Sequence, residues 1–368
     1  MLSDKLLLSA QPTPADIGPN LFVWGRNGDH GRLGLGDTVM RSSPVQLAGT
    51  WSAISFGYGT AAVKPEGTAW VWGYGGMGGL GLGDINIHRS SPVQLAGTWV
   101  SVKSGSRDMA GIRADGSLWM WGANDQGKLG LGDVDVNRSS PVQLAGTWKM
   151  ASLGLDFSGG IKSDGSLWMW GFNYSYENPG NGQLGIGSAD VRRSTPAQVS
   201  GTWLSVALGG RHAAGLKPDG SLWMWGMGGH GRLGLENTSN RNTPGQVSGT
   251  WSFVSLGYLH SAALRPDGSL WMWGHNYFGN LGLGDSANRS SPTQLAGTWI
   301  SVVLGSRHST ALKADGSLWT WGRNVNGYLG NGDTVIRSSP VQLAGTWRPV
   351  VLNGQCSSAT GTSAGLRS

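Results

Sequence analysis

The chain has 368 residues, of which 64 are glycine, 20 are tryptophan and only 13% are charged. Aromatic and aliphatic side chains in this proportion can bury a core, so the composition excludes a largely disordered protein. The single cysteine, Cys356, excludes an intrachain disulfide. No window approaches the roughly 18 apolar residues that a membrane helix needs, so we expect a soluble chain without a membrane span.

The first 20 residues differ in composition from the rest. Three prolines, Pro12, Pro14 and Pro19, predict an extended N-terminal arm over residues 1–20, because proline fixes φ and lacks an amide donor. The apolar run at its start is too short for a secretory signal. Its leucines are candidate anchors that tether the protein to a larger assembly or a sister subunit: Leu2, Leu6, Leu7 and Leu8. The alternative is an arm that folds back onto its own domain.

Internal repeats cover nearly all of the remaining chain. A Gly-Thr-Trp motif occurs seven times, at Trp51, Trp99, Trp148, Trp203, Trp251, Trp299 and Trp347. A Trp-Gly motif also occurs seven times, at Trp24, Trp72, Trp121, Trp170, Trp225, Trp273 and Trp321, and a further tryptophan precedes six of these by two residues. These three series contain all 20 tryptophans. We therefore expect every tryptophan to serve the scaffold.

Each repeat is typical of four short strands. In the copy that starts at Trp299 we predict strands over residues 299–304, 308–313, 318–322 and 340–343. Asp315-Gly316 between two apolar runs favours a hairpin, because both turn positions tolerate positive φ. Pro340 fits only an edge strand, which places the fourth strand at the outer rim.

The repeats are 48 or 49 residues long, once 55. Four antiparallel strands that recur with this period indicate a β-propeller, since a linear solenoid would carry polar capping repeats. We predict an all-β, seven-bladed β-propeller of four-stranded antiparallel blades over residues 21–368. The predicted blades are residues 51–98, 99–147, 148–202, 203–250, 251–298 and 299–346, with the seventh formed by 347–368 plus 21–50. In that split blade we expect strands at 347–353 and about 357–362 from the C-terminus, and at 21–25 and 44–47 from the N-terminus. The ring would thereby close without exposed sheet edges.

The repeat unit, for example Gly305-Ser-Arg-His308 followed by Asp315-Gly-Ser-Leu-Trp-Thr-Trp-Gly322, resembles that of the regulator of chromosome condensation family. The resemblance implies the propeller fold over about residues 21–360. Its eukaryotic members exchange nucleotide on a small GTPase, dock on chromatin or sense UV-B light. The exchange activity is associated with a protruding β-wedge, whereas this chain has only a short insertion at residues 174–181. The near-verbatim copies resemble bacterial and bacteriophage members of the family.

Several recurring polar residues have mainly structural interpretations. Carboxylates in the third-to-fourth strand loops precede arginines by four or five residues, which predicts local ion pairs: Asp37–Arg41, Asp84–Arg89, Asp133–Arg138, Glu236–Arg241, Asp285–Arg289 and Asp333–Arg337. His212, His260 and His308 occupy matching positions in successive repeats and are predicted to pack, because catalysis needs different groups brought together. The Gly-x-Leu-Gly-x-Gly segments are predicted turns, since no helix or Lys-Ser/Thr follows them. We expect no catalytic residue, cofactor or metal, and thus no enzyme.

Comparison of the seven repeats indicates where binding occurs. The turns predicted on one side of the ring hardly vary, whereas the first-to-second and third-to-fourth strand loops on the other side vary strongly, which favours the variable face as the binding face. The alternative is that exposed loops merely drift. The candidate partner-binding residues are of types enriched at interfaces: Arg26, Tyr58, Tyr74, Arg107, Phe157, Tyr174, Tyr176, Arg211, Tyr258, Tyr277, Phe278, Arg307 and Arg323.

Two functions remain open. The first is a non-enzymatic protein-interaction scaffold, a structural or adhesive component of a phage particle or microbial surface that binds partners through the variable face. The second is a regulatory nucleotide-exchange factor or chromatin-type binder like the eukaryotic family members. The net charge of +6 favours an acidic ligand only mildly, and a glycan ligand remains open. Because no contiguous basic run exists, the sequence does not favour nucleic acid.

Overall fold

The structure is a computed structural model that describes residues 21–173, 182–188, 190–348 and 362–367. The predicted arm with Leu2, Leu6, Leu7 and Leu8 lies outside the described residues, as does the insertion with Tyr174 and Tyr176. No helix in the described part of the chain is long and apolar enough to cross a membrane.

The described residues form short antiparallel strands, together with single turns of 3-10 helix at Gly28–His30, Gly76–Gly78, Asp125–Gly127 and Gly229–Gly231. The strands are β1 (Leu21–Gly25), β2 (Arg41–Leu47), β3 (Ala53–Phe56), β4 (Gly59–Val63), β5 (Thr68–Gly73), β6 (Arg89–Thr98), β7 (Ser101–Ser104), β8 (Asp108–Ile112), β9 (Ser117–Gly122), β10 (Arg138–Leu153), β11 (Phe157–Lys162), β12 (Ser166–Phe172), β13 (Arg192–Thr202) and β14 (Ser205–Leu208). They continue with β15 (His212–Leu216), β16 (Leu222–Gly226), β17 (Arg241–Val247), β18 (Phe253–Leu256), β19 (His260–Leu264), β20 (Ser269–Gly274), β21 (Arg289–Thr298), β22 (Ser301–Leu304), β23 (His308–Leu312), β24 (Leu318–Gly322), β25 (Arg337–Leu343), β26 (Trp347–Arg348) and β27 (Thr362–Arg367).

The sheets are propeller blades. Consecutive strands pair in order, as in β3-β4-β5-β6, β14-β15-β16-β17, β18-β19-β20-β21 and β22-β23-β24-β25. The first strands of successive sheets contact one another, for instance β14 with β18 and β18 with β22, so they lie innermost. The fourth strand is the outer edge of each four-stranded sheet. Pro340 lies in the edge strand β25, where its missing amide hydrogen costs no hydrogen bond to a neighbouring strand.

The predicted count of seven separate four-stranded blades is wrong. The described residues form five four-stranded sheets and one seven-stranded sheet, β7 to β13. The difference lies in β10, which is continuous over 16 residues and pairs with both β9 and β11. Trp148 pairs with Lys162, and the Ser163 amide donates to the Thr147 carbonyl over 3.1 Å, so the ladder does not break where the outer strand of one repeat becomes the inner strand of the next.

One four-stranded sheet joins the two ends of the chain. Its order is β2-β1-β27-β26, with Leu21 opposite Leu366 and Trp347 opposite Arg367. The predicted strands at 347–353 and about 357–362 extend into residues 349–361, which lie outside the described residues. The strand between β26 and β1 is Thr362–Arg367. That register buries Ala364 and Leu366 and places Gly365 against the Trp347 ring, where a Cβ would lie only 2.6 Å from Cε3.

Tryptophans fill the space between strands and between sheets. The Trp-Gly series is fully buried, and in six of its seven members the indole nitrogen donates to a carbonyl of the preceding repeat, as in Trp273 Nε1 to Arg232 O at 2.9 Å. The Gly-Thr-Trp series packs at 5.7 to 6.2 Å against that ring in each blade, as Trp203 does with Trp225. These indoles belong to the scaffold, as the repeat pattern predicts.

Candidate partner-binding face

The loops that vary between repeats share one end of the sheets, which we call the loop face. The amide of Ala123, after a third strand, donates to the Arg107 carbonyl between the first and second strands at 2.9 Å, and Arg323 bonds Arg307 in the same way. The invariant turns meet at the opposite end, the turn face, where the Trp148 amide donates to Gly116 O at 2.8 Å. The hydrogen bonds therefore group the loops as the repeat comparison predicts.

The turn face repeats one local structure. Asp219 Oδ1 accepts hydrogen bonds from the Ser221 amide and hydroxyl, which lowers the pKa of that carboxyl, with the hydroxyl contribution the larger. The Ser221 hydroxyl in turn accepts from Trp223 Nε1. Lys217 lies 4.1 Å from the Trp223 ring and 5.2 Å from the Trp203 ring. Because every bond is local and recurs between repeats, this face is scaffold.

On the loop face, predicted ion pairs brace the third-to-fourth strand loops. Five of the six form, with Arg89 Nη2 to Asp84 Oδ2 at 2.6 Å as an example. Glu236 and Arg241 do not pair in the described structure, because the Arg241 guanidinium lies over Gly245, where the other outer strands carry a side chain. A buried asparagine, which sequence reasoning missed, supports the same loop: Asn276 donates to Asp285 and accepts from the Leu281 amide.

Most candidate binding residues lie on this face and are partly accessible. Tyr277 is 71% exposed, and the half-buried members are Arg26, Tyr58, Tyr74, Arg107, Arg211, Tyr258, Phe278, Arg307 and Arg323. The structure corrects the assignment of Phe157 to the binding surface, because its side chain is only 1% exposed and packs in the core. It begins β11 at the place where His212 begins β15, a position that points between blades.

The first of two aromatic clusters gathers on the loops that follow β1, β3, β5 and β7. The Tyr58 ring lies 4.6 Å from the Arg32 guanidinium and 5.7 Å from that of Arg107. Tyr58 contacts Tyr74 edge to face at 5.8 Å, and Tyr74 stacks on His88. His30 and His88, whose ring centroids are 4.1 Å apart, extend the cluster outward.

A second aromatic cluster gathers on the loops that follow β16, β20 and β22. His230 and His275 meet with ring centroids 4.9 Å apart, and Tyr277 meets Phe278 at 4.8 Å. Two guanidinium groups lie over the Phe278 ring: that of Arg307 at 5.4 Å and that of Arg323 at 5.1 Å. Burial, with His230, Arg307 and Arg232 adding to it, lowers the pKa of His275 to about 4, so this imidazole is neutral near pH 7.

Cations are buried beneath the loop face. Sequence reasoning did not predict them, because each occupies a variable position in a glycine-rich turn. Arg32, Lys128 and Arg232 are at most 3% exposed. Lys128 Nζ lies 3.4 Å from Asp108 Oδ1, and burial raises the pKa of Asp108 although Lys128 opposes the change. Arg232 has no carboxylate within 4 Å among the described residues, and burial lowers its pKa to about 10.

The three aligned histidines lie between blades. Nε2 of His212, His260 and His308 lies 2.9 to 3.1 Å from the hydroxyl of Ser261, Ser309 and Ser363 in the following blade. Burial lowers the pKa of all three, to about 3 for His260 and about 4 for His308. The described residues contain no group of three or more His, Cys, Asp or Glu side chains placed to hold a metal.

Blades with an inner first strand, an outer fourth strand and loops gathered at one end define a β-propeller with a loop-presenting face. The model of the RCC1-like domain matches residues 88–365, and the chain belongs to that family. Solved structures similar to it include human WBSCR16, with a TM-score of 0.82, 19% identity, and 95% of this chain and 99% of that chain covered. The structure of yeast RCC1 (Prp20) bound to Kap60 has a TM-score of 0.80 at 19% identity and covers 95% of this chain and 89% of that chain.

A second structure of Prp20p, from Saccharomyces cerevisiae, has a TM-score of 0.77 at 20% identity and covers 95% of this chain and 91% of that one. No curated protein matches the chain. The family predicted from the repeat is thus confirmed, whereas membership of a bacterial or bacteriophage branch stays a prediction.

Proposed function

We propose that the protein is a non-enzymatic interaction scaffold whose loop face binds an acidic segment of a protein partner. One contrast carries the proposal. The arginines of the outer loops, such as Arg89 and Arg337, are neutralised by a local aspartate. Three other arginines have no carboxylate within 4 Å among the described residues and lie beside aromatic rings: Arg107 and Arg307, each between a first and a second strand, and Arg323, directly after a third strand.

Such groups suit a protein ligand. A guanidinium can donate two parallel hydrogen bonds to a carboxylate, and tyrosine and arginine are the types that dominate interface energetics. Tyr277, with 71% of its surface exposed, offers an apolar anchor beside this charge. Favourable charge pairing would accelerate association and make it sensitive to salt.

Between the two predicted settings, the comparisons support the regulatory one better. They offer nothing in favour of a phage particle, a virion or an adhesive surface. The similar structures are human WBSCR16 and yeast RCC1 (Prp20), and the yeast protein binds Kap60, Gsp1p and histones. At 19 to 20% identity this likeness carries the fold alone, so the partner of this chain is sought by its chemistry.

The test uses a fluorescent polyglutamate decamer as the probe. Replacing Arg107 and Arg307 together by glutamine should weaken its binding at least tenfold, because one charge-assisted hydrogen bond contributes about 1.5–3 kcal/mol and 1.4 kcal/mol is a factor of ten. The matched control is Arg113→Gln with Arg265→Gln, which removes the same charge from arginines stacked on tryptophans of the turn face. Equal affinities in fluorescence anisotropy would refute a role for the loop face.

Nucleotide exchange is the second candidate, since the fold resembles that of yeast RCC1. Gsp1p loaded with a fluorescent GDP analogue provides the assay. A pure scaffold should leave the release rate unchanged at any concentration of this protein. Acceleration that is lost in the Arg107→Gln, Arg307→Gln variant would replace the scaffold by an exchange factor acting through the same face.

A further inference from the structure

Arg232 and Lys128 occupy the same place in two repeats but differ in charge compensation. The carbonyl of each accepts the indole hydrogen of the next Trp-Gly tryptophan, Trp273 at 2.9 Å and Trp170 at 2.8 Å. Lys128 has the buried Asp108 of its own blade as counter-ion, whereas the position equivalent to Asp108 in the blade of Arg232 is His212. Among the described residues, the second position therefore holds a buried cation without a neighbouring anion.

The Arg232 guanidinium is also poor in hydrogen bonds. Its Nε donates to the Gly229 carbonyl at 2.9 Å, and no other side-chain hydrogen bond of Arg232 is present among the described residues. The side chain is 2% exposed. A buried, unpaired charge is strongly unfavourable, so its retention indicates that a counter-charge comes from a group beyond the described residues.

The groups around Arg232 are uniformly basic or neutral. Arg211 and Tyr258 act on its pKa in opposite directions, Arg211 lowering it and Tyr258 raising it. Arg232 and Arg307 both lower the pKa of His275, and Arg232 lowers that of His230. No acidic side chain of the described residues contributes to these shifts. The positive potential is thus concentrated over one part of the second aromatic cluster.

We propose that the surface bounded by Arg211, His230, His275 and Arg307 is a subsite for one carboxylate of the acidic partner, with Arg232 beneath it as the fixed counter-charge. The proposal rests on the scaffold function above and specifies where on the loop face it is exercised. Arg211 and Arg307 are half-buried and accessible, so they would contact the carboxylate directly. His275, with its Nδ1 3.4 Å from Asn280 Nδ2, would lie at the edge of this surface.

The deciding variant is Arg232→Met. Exchanging an uncompensated buried charge for an apolar side chain of similar length should leave the melting temperature unchanged or raise it. Affinity for the polyglutamate decamer should nevertheless fall about tenfold. A lower melting temperature with unchanged affinity would make Arg232 a structural residue and overturn the subsite.

A second comparison separates this subsite from a general attraction of charges. Arg107 and Arg307 each follow a Gly-Ser pair between the first and second strands, one in each aromatic cluster. Arg307→Gln should weaken peptide binding at least fivefold more than Arg107→Gln. Equal losses would overturn the subsite while leaving the scaffold function standing, and no loss in either variant would defeat both.

The pKa of His275 offers an independent measurement of binding. Burial is the main cause of the low pKa of His275, and His230, Arg307 and Arg232 lower it further. A bound carboxylate opposes the two guanidinium charges, so it should raise the pKa of His275 above about 4. The other groups that face this imidazole are His230, Tyr277, Phe278 and Asn280. An NMR titration of the His275 ring between pH 3 and pH 7, with and without the decamer, measures the shift. Coincident titration curves with peptide bound would contradict the subsite.

Discussion

At the scale of single residues, His212, His260 and His308 show how one side chain can couple two blades. Each imidazole is buried and shares a hydrogen bond with a serine of the next blade. Because each serine hydroxyl donates to a backbone carbonyl, the histidine Nε2–H donates to the serine oxygen. Burial lowers the pKa of all three rings and thereby keeps them neutral. Their alignment in sequence thus reflects a repeated junction, as the packing interpretation predicts.

These histidines should make stability depend on pH. In the unfolded chain a histidine takes up a proton below a pKa of about 6.5, whereas the folded pKa of His260 is about 3 and that of His308 about 4. Folding is therefore most favoured above pH 6.5, and the free energy of unfolding should fall by up to about 2 kcal/mol per histidine between pH 6.5 and pH 5.

Thermal unfolding from pH 7.5 to pH 5 measures this dependence. The triple variant His212→Gln, His260→Gln, His308→Gln should be less stable at pH 7 and should show a flatter profile. His88→Gln, at an exposed site of the loop face, serves as the control. Parallel profiles for the triple variant and the unmodified protein would show that other groups govern the pH response.

At the scale of elements, the second strand of each blade is shaped by the tryptophan that packs on it. Gly215 in β15 and Ala263 in β19 hold equivalent positions opposite Trp223 and Trp271. A Cβ on Gly215 would lie 2.5 Å from the Trp203 ring, so the indole there has moved into the space that a methyl group would fill. The two blades have the same pairing but different side-chain packing.

Gly215→Ala should consequently destabilise the protein by about 1–3 kcal/mol, the usual range for an overpacked core. The reverse exchange, Ala263→Gly, relieves no close contact and should cost only about 0.5–1 kcal/mol, mainly through backbone entropy. Denaturant unfolding of both variants gives the comparison. A Gly215→Ala penalty no larger than that of Ala263→Gly would show that the Trp203 ring can move aside.

The elements also show what sequence could and could not reveal. The hairpin at Asp315-Gly316, the outer strand with Pro340 and the grouping of loops were predictable, because turn chemistry and repetition act locally. The continuity of β10 was not, since it depends on the register between Trp148 and Lys162. The burial of Phe157 could have been found by aligning it with His212 across repeats. The buried charge of Arg232 had no comparable signal.

At the scale of the whole molecule, the sheet β2-β1-β27-β26 unites strands from opposite ends of the chain. Its core contains Leu21, Val23, Ala364 and Leu366 with Ile54 and Phe56 of the next blade. The His308–Ser363 contact and the Thr362 hydroxyl bond to Arg26 O add polar links. Loss of β27 would leave β1 without its inner neighbour and expose a strand edge.

Deleting residues 347–368 should therefore abolish cooperative unfolding or lower the melting temperature strongly. Leu366→Ala is the graded companion, because the leucine is 5% exposed and such truncations cost about 2–5 kcal/mol. Calorimetry on both proteins measures the effect. A truncated chain that melts like the intact one would contradict the closing role of this sheet.

The sheet β2-β1-β27-β26 also has a consequence for the chain during its synthesis on the ribosome. Between the end of β1 and the start of β27 lie 361 − 25 = 336 residues. At about 5–20 residues per second, a ribosome needs about 17–67 s to cover that distance. Throughout this interval β1 has an unpaired edge while the other blades already emerge and fold. A message truncated just before the codons for Thr362–Arg367 would thus release a nearly full-length chain with that edge still open to foreign strands.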